Sequence, residues 1–196
     1  MESSNKEIYI SVDVETAGPN PSQYSLLSIG ACLVLEPAKR FYVELQPVND
    51  AITSEAMEVS QMDLEGLKRR GRPPVEAMRR FAEWVAEVTP AEGRPVFVAL
   101  NAVFDWMFVA DYFHRYLGKN PFGHKALDIK AYFMGLRGIE WEATGFEAMS
   151  KYYQIEQRLN HNALEDAVMQ AALFRRMLEE QKQRLTAKHA KTAKIL

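Results

Sequence analysis

Ile8-Tyr9-Ile10-Ser11-Val12-Asp13-Val14-Glu15 alternates branched aliphatic residues with polar or aromatic ones, the period-two pattern of a strand with one packed face. Gly18-Pro19-Asn20-Pro21 follows as a turn, and residues 26–35 then run apolar, as a more deeply buried strand does. Pro37 and Ala38 mark a second turn into a third strand over 40–45. The chain is therefore expected to open as an antiparallel meander. Beyond it the period changes. Met78, Phe81, Val85 and Val88 recur at helical spacing, with Pro73 or Pro74 suited to the first turn. Residues 54–60 read as a short helix, 95–100 as a buried strand, and 104–117 as a helix with Phe108, Val109, Tyr112 and Tyr116 on one side. Residues 126–134 fit either a helix or a strand, and 145–153 fit a helix. Residues 164–178 form a strong one, with Leu164, Val168, Ala171, Phe174 and Leu178 in register. There is no internal repeat. Strands first, then helices interleaved with a further strand, predict an α/β protein with a mixed sheet and helices on its faces.

The chain has 196 residues, 47% of them hydrophobic and 26% charged, which suits one domain with a real core and excludes disordered, collagen-like and acidic-tail classes. No stretch approaches the ~18 apolar residues of a membrane span, and no export signal is visible. The single cysteine, Cys32, lies in the apolar run 26–35 and reads as a small core residue. It can form no disulfide within the chain, so a cytoplasmic location is expected. Residues 181–196 hold Lys182, Arg184, Lys188, Lys191 and Lys194 and no acid, whereas 1–180 carry a net charge of −7. The expected organisation is a domain over 1–180 and a basic C-terminal tail over 181–196. The overall charge of −2 argues against a protein that coats long polynucleotides.

Four carboxylates stand in places that ordinarily avoid them. Asp13 and Glu15, two apart on a strand, leave the same face. Asp105 crowns the apolar stripe of Phe108, Tyr112 and Tyr116, and Asp166 crowns Met169, Leu173 and Met177. Taken singly each has a structural account: Asn101 and Asn160 or Asn162 are good N-caps, and an acid in a first helical turn gains ~0.3–1 kcal/mol from the helix dipole. Taken jointly they would form a costly anionic cluster unless cations neutralise it. Oxygen donors without cysteine point to Mg2+ or Mn2+. Two such ions ~3.5–4 Å apart serve in-line phosphoryl displacement. His161, five residues before Asp166, could take a proton from an attacking water near neutral pH.

Asp13-Val14-Glu15-Thr16, Asn101-Ala102-Val103-Phe104-Asp105 and His161-Asn162-Ala163-Leu164-Glu165-Asp166 resemble, in order and separation, the three motifs of the DEDD superfamily of 3'-5' exonucleases in its histidine-containing (DEDDh) subgroup. The stretch from Ile52 through Glu55 to Met62 and the pair Leu127-Asp128 also look like elements of that group. The resemblance implies a ribonuclease H-like fold and removal of nucleotides from a 3' end as 5'-monophosphates. By the same resemblance Asp13, Glu15, Asp105 and Asp166 would hold two metals, with Asp13 bridging them and His161 acting as general base. Glu15, with the backbone near Thr16 and Ala17, would meet the terminal 3'-hydroxyl. Asn101 is a candidate for supporting the ligands, and Phe104 and Met62 are candidates for packing against the last bases. Two positions depart from the pattern: Ala99 and Leu100 replace a usual histidine or glycine before Asn101, and Gln61 replaces a glycine before Met62.

The expected partners are 3' ends of single-stranded DNA or RNA, and the resemblance allows a homodimer. The rival expectation is a nucleic-acid-binding or protein-interaction module that keeps the fold without catalysis. A second enzymatic reading acts on small nucleotides with the same metals. Lys68, Arg69, Arg70, Arg72, Arg79 and Arg80 could border a substrate groove, although a charge run is usually solvated surface.

Overall fold

The computed structural model describes residues 6–56, 63–155 and 161–192. Strands β1 (Lys6–Thr16), β2 (Leu26–Leu33) and β3 (Arg40–Glu44) form the antiparallel meander. Strand β4 (Gly93–Ala99) then lies parallel to β1, and β5 (Ala126–Asp128) parallel to β4, giving one mixed sheet of order β3-β2-β1-β4-β5. The helices are α1 (Leu64–Arg70), α2 (Pro74–Val88), α3 (Ala102–Leu117), α4 (Ile129–Arg137), α5 (Phe146–Tyr153) and α6 (Ala163–Thr192), with a 3₁₀ turn at Trp141–Thr144. Pro74 opens α2 at its first turn, where its missing N–H costs nothing.

The alternation of β1 divides the core into two layers. Ile10, Val12 and Val14 join Ile29 and Ala31 of β2 against Met78, Phe81 and Val85 of α2 and Phe108, Val109 and Tyr112 of α3. On the opposite face Cys32 and Val98 pack with Ile129, Phe133, Met149, Phe174 and Met177 of α4, α5 and α6. The α/β sheet with helices on both faces is thus present. Burying an aromatic or aliphatic side chain of this kind contributes ~1.5–3 kcal/mol, so both layers are strongly driven. Cys32 is fully buried, with its Sγ 3.6 Å from the Ala167 carbonyl. Burial pushes its thiol up to about 12, which suits a core residue and not a nucleophile.

Several elements differ from the sequence expectation. Residues 126–134 are neither one helix nor one strand but β5 followed at once by α4, and the Asp128 side chain accepts from Ala131 N–H at 2.7 Å to start the helix. A window spanning two elements has no single period. Helix α1, and the turn at Trp141–Thr144, are too short for periodicity to register. Of the helix expected over 54–60, residues 54–56 are helical and 57–60 lie outside the described residues. Helix α6 runs well past 178 and through residue 180 to Thr192. Its apolar register ends near Leu178, but Glu180 binds Arg137 (2.8 Å), Arg184 (2.7 Å) and the Tyr153 hydroxyl (2.7 Å), so polar ties carry the helix onward.

Candidate active site

Asp13 and Glu15 project from β1 on the side opposite Val12 and Val14, beyond the point where the β1–β4 pairing ends at Ser11 and Val98. Two parallel strands that part at their carboxyl ends leave a crevice, the usual place for a ligand in such sheets. A register shift between Glu15 and Thr16 turns the strand end over that crevice. Helix α3 brings Asp105 to the same place, and its carboxylate Oδ1 accepts the Val14 N–H at 3.1 Å. Two residues fix that approach. The buried Tyr112 hydroxyl accepts the Leu26 N–H at 2.9 Å, tying α3 to β2. Asn101 adopts a left-handed conformation (φ 59, ψ 50), which asparagine tolerates better than most residues, and makes the turn from β4 into α3 abrupt. The side chain of Asn101 does not cap α3, contrary to expectation. Asp128 does so instead, accepting the Ala102 N–H at 2.6 Å with one oxygen while the other starts α4. A residue held at φ > 0 cannot also take the extended conformation of an N-cap.

Helix α6 supplies the third group. Asn162 caps it as expected, its Oδ1 accepting from Leu164 and Glu165 N–H at 3.2 Å each, while Asn160 lies outside the described residues. The first turn of α6 crosses β2 at Gly30, where an added Cβ would fall 2.1 Å from the Ala163 carbonyl carbon. Gly30 is opposite Asp13 in the β1–β2 register, so this close approach carries Asp166 onto the Asp13 and Glu15 side of the sheet. Asp166 Oδ2 in turn accepts the His161 N–H at 3.0 Å and holds His161 at φ 60, a strained conformation of the sort found at functional sites. The nearest polar atoms of Glu15, His161 and Asp166 lie within 4.8 Å of one another.

All five residues line one cleft of about 360 Å³ together with Thr16, Gly18, Thr53, Glu55, Asn101, Phe104 and Gln170. Among its described lining residues there is no Lys or Arg. Glu15, Asp105 and Asp166 are at most 8% exposed and His161 is exposed. Burial, then Asp105, Glu15 and Asp166, push the Asp13 carboxyl well above the usual range, against the lowering effect of Gln170. Burial and then the Asp166 and Asp105 charges raise Glu15 to about 8. Burial raises Asp105 to about 8, opposed by its backbone hydrogen bonds. The N-termini of α3 and α6 offset only part of this repulsion. A cleft whose acids offer only carboxylate oxygens, with one imidazole beside them and no Lys or Arg among its described lining, fits a hard divalent cation.

These shifts set a pH dependence. Carboxyls raised from 4.5 or 3.8 to about 8 on folding bind more protons in the cation-free fold than in the unfolded chain, so their contribution to stability is fully present below about pH 4 and is lost as pH rises through about 8. A bound cation removes that penalty. Thermal unfolding with Mn2+ and with EDTA should therefore differ little at pH 5.5 and diverge by ~5 °C or more at pH 8.5. A gap that stays constant with pH would contradict this electrostatic account.

Of the other sequence candidates, Thr16, Asn101 and Phe104 reach the cleft wall. Ala17 does not: it is fully buried, its N–H donating to Ser25 O and its carbonyl accepting from Thr53 N–H. Met62 and Gln61 lie outside the described residues. Lys68, Arg70, Arg72 and Arg79 are paired with Glu65 and Asp50, Glu44, Glu76 and Glu83 at 2.6–2.8 Å, and none of the six basic residues lines the cleft. Lys68, Arg70, Arg72 and Arg79 form a solvated ion-pair surface. Gln170 and Gly30 escaped the motif reading. An isolated glycine in an apolar strand signals close backbone approach, and a glutamine one turn past Asp166 is polar on a face otherwise packed.

A mixed sheet of this order, with carboxylates from β1, α3 and α6 meeting where β1 and β4 part, defines a 3'-5' exonuclease of the DEDD type. The model of the exonuclease family RNase_T matches residues 10–174, and the chain belongs to this family. It is 47% identical over 172 residues to the 3'-5' DNA exonuclease Cap18 of Escherichia coli, covering 88% of this chain and 92% of that protein. In fold it resembles the nuclease domain of 3'hExo, a DEDDh family member bound to rAMP, with a TM-score of 0.76, 14% identity and coverage of 90% and 94% of the two chains. It also resembles E. coli Exonuclease I in complex with a dT13 oligonucleotide, with a TM-score of 0.69, 16% identity and coverage of 93% and 43%. The ribonuclease H-like fold expected from the motifs is the fold of these neighbours. Exonucleases of this family use divalent metals. No helix among the described residues is long and apolar enough to cross a membrane.

Proposed function

We propose that the protein shortens single-stranded DNA from its 3' end, releasing nucleoside 5'-monophosphates. The observation that carries this reading is the meeting of Asp13, Glu15, Asp105, Asp166 and His161 in one cleft whose described lining has no cationic side chain. DNA is preferred over RNA because the 47% identical relative is a DNA exonuclease. Asp13, Glu15, Asp105 and Asp166 would hold two Mg2+ or Mn2+ ions, which supply charge stabilisation to the attacking and leaving oxygens. The exposed imidazole of His161 takes the proton of the attacking water from the open side of the cleft. Glu15 and Thr16, at the strand end, receive the terminal 3'-hydroxyl, and Asn101 and Phe104 border the terminal nucleotide, with Met62 as a further contact. Such a site needs an end that is frayed or unpaired. The lone buried cysteine suits a reducing cytoplasm, and a homodimer is compatible with this arrangement.

The test incubates 5'-labelled single-stranded DNA and RNA of one sequence with Mg2+, Mn2+ or EDTA. A 3'-shortening ladder on DNA that EDTA abolishes is the expected result. His161→Gln should lower kcat by ~10²-fold or more and flatten its pH profile, with little change in KM. A chain ending at Glu180 should give the same ladder, since the cleft lies wholly within 1–180. Binding without shortening under every metal would instead assign the fold a binding role, and faster loss of RNA would reverse the substrate preference.

A further inference from the structure

Gln170 is 1% exposed and spans the gap where β1 and β4 part. Its Oε1 accepts the Leu100 N–H at 2.9 Å and its Nε2 donates to Asp13 Oδ1 at 2.5 Å. The orientation of the amide is settled by chemistry, because a backbone N–H can only donate and so must face the oxygen. Leu100 lies past the last paired residues of β1 and β4, Ser11 and Val98, so its N–H has left that ladder, and Gln170 takes the place of a strand partner. One side chain therefore joins α6, the end of β4 and the carboxylate of Asp13. It leaves α6 four residues after Asp166, on the same side of the helix.

We propose that Gln170 is a positioning residue that fixes the plane of the Asp13 carboxylate and reserves its Oδ2 for cations. The torsion that turns an aspartate carboxylate is broad and nearly two-fold, so little in the side chain itself selects a plane. A hydrogen bond to one oxygen from an amide anchored at its other end selects one. The same amide fixes Leu100, and through it the start of the Asn101 turn that aims Asp105. Helix α6 thus delivers one proposed ligand and braces a second on a neighbouring strand. Partners of this kind, removed from metal sites, typically cost about 10–100-fold in metal affinity or activity.

This inference rests on Asp13 being a cation ligand, and the experiment separates the two. Mn2+ binding to the substrate-free protein is measured by the EPR signal of free Mn2+ for wild type, Asp13→Asn, Gln170→Leu and Gln170→Glu, with thermal unfolding of each. If Asp13 is a ligand, Asp13→Asn weakens Mn2+ binding, and wild-type binding in that variant removes the basis of the inference. Gln170→Leu keeps the bulk but neither hydrogen bond, and should bind Mn2+ at least ~10-fold more weakly. Gln170→Glu keeps an acceptor for Leu100 and so guards against a failure to fold. With saturating Mn2+ the kcat of Gln170→Leu should fall at least ~10-fold with KM within about two-fold, because Asp13 is no longer held by donation, whereas Gln170→Glu, whose carboxyl when protonated still has an O–H to donate, should recover part of the loss. Wild-type Mn2+ affinity or wild-type kcat in folded Gln170→Leu would overturn the proposal.

Discussion

Asp166→Asn should reduce 3'-shortening of single-stranded DNA by at least about 10³-fold, or ~4 kcal/mol of transition-state stabilisation, while the protein stays folded. Asparagine keeps the size of the side chain and an oxygen able to accept the His161 N–H, a bond of 3.0 Å in the native protein. What it removes is charge, at a position 4% exposed and within reach of Glu15 and His161. Asp166→Ala removes the acceptor as well, releases His161 from φ 60, and should be at least as inactive. The Asp166 charge also raises the carboxyls of Asp13 and Glu15, so the cation-free Asn variant should unfold no lower than wild type at pH 8. Loss of activity with retained or improved stability is the signature of a group kept for function at the expense of the fold. Activity of Asp166→Asn within tenfold of wild type would sink the proposed ligand set.

The second large effect comes from a residue with no side chain. Gly30→Ala would put a Cβ 2.1 Å from the carbonyl carbon of Ala163 and 2.2 Å from its oxygen and from Leu164 N. These are backbone atoms, so no rotamer change relieves the contact. Either β2 bows or the start of α6 lifts off the sheet, at a cost of ~1–3 kcal/mol or more. The helix start carries Asp166 and is preceded by His161, and displacement of catalytic groups by about 1 Å can cost 10²-fold in rate. Gly30→Ala should therefore lose ~10²-fold or more in activity and several degrees of thermal stability. Gly135, inside α4 with nothing within 4 Å of an added Cβ, provides the control. There the same substitution should hold or raise stability, since alanine is favoured over glycine in helices by ~1 kcal/mol. Wild-type activity in Gly30→Ala would show that α6 approaches less closely than its backbone implies.

The legible part of the molecule is the part with a repeating pattern or a chemical anomaly. The meander was readable because Ile8 to Val14 alternate and proline-rich turns follow. The long helices were readable from apolar residues at 3.6 spacing. The three acidic motifs stood out because Asp105 and Asp166 cap apolar stripes where charge is unfavourable. Periodicity fails where an element spans fewer than about two repeats, as in β5 and α1, and where a helix continues beyond its packed face, as α6 does after Leu178. It also says nothing about contacts between distant segments. That Asp128, not Asn101, caps α3 depends on β5 lying beside β4, and that Gln170 reaches Asp13 depends on a helix docking 157 residues away in sequence.

The crossing of α6 over Gly30 also bears on how the protein is made. Asp13, Glu15 and Asp105 lie in the first part of the chain, whereas Asp166, Gln170 and His161 belong to the last long segment. A polypeptide released by premature termination before residue 163 holds three of the proposed carboxylates and no helix to close over them. Under the proposed mechanism, cutting power arrives in one step with the docking of α6, so a cell that makes fragments stopping short of this helix is not exposed to a half-built nuclease.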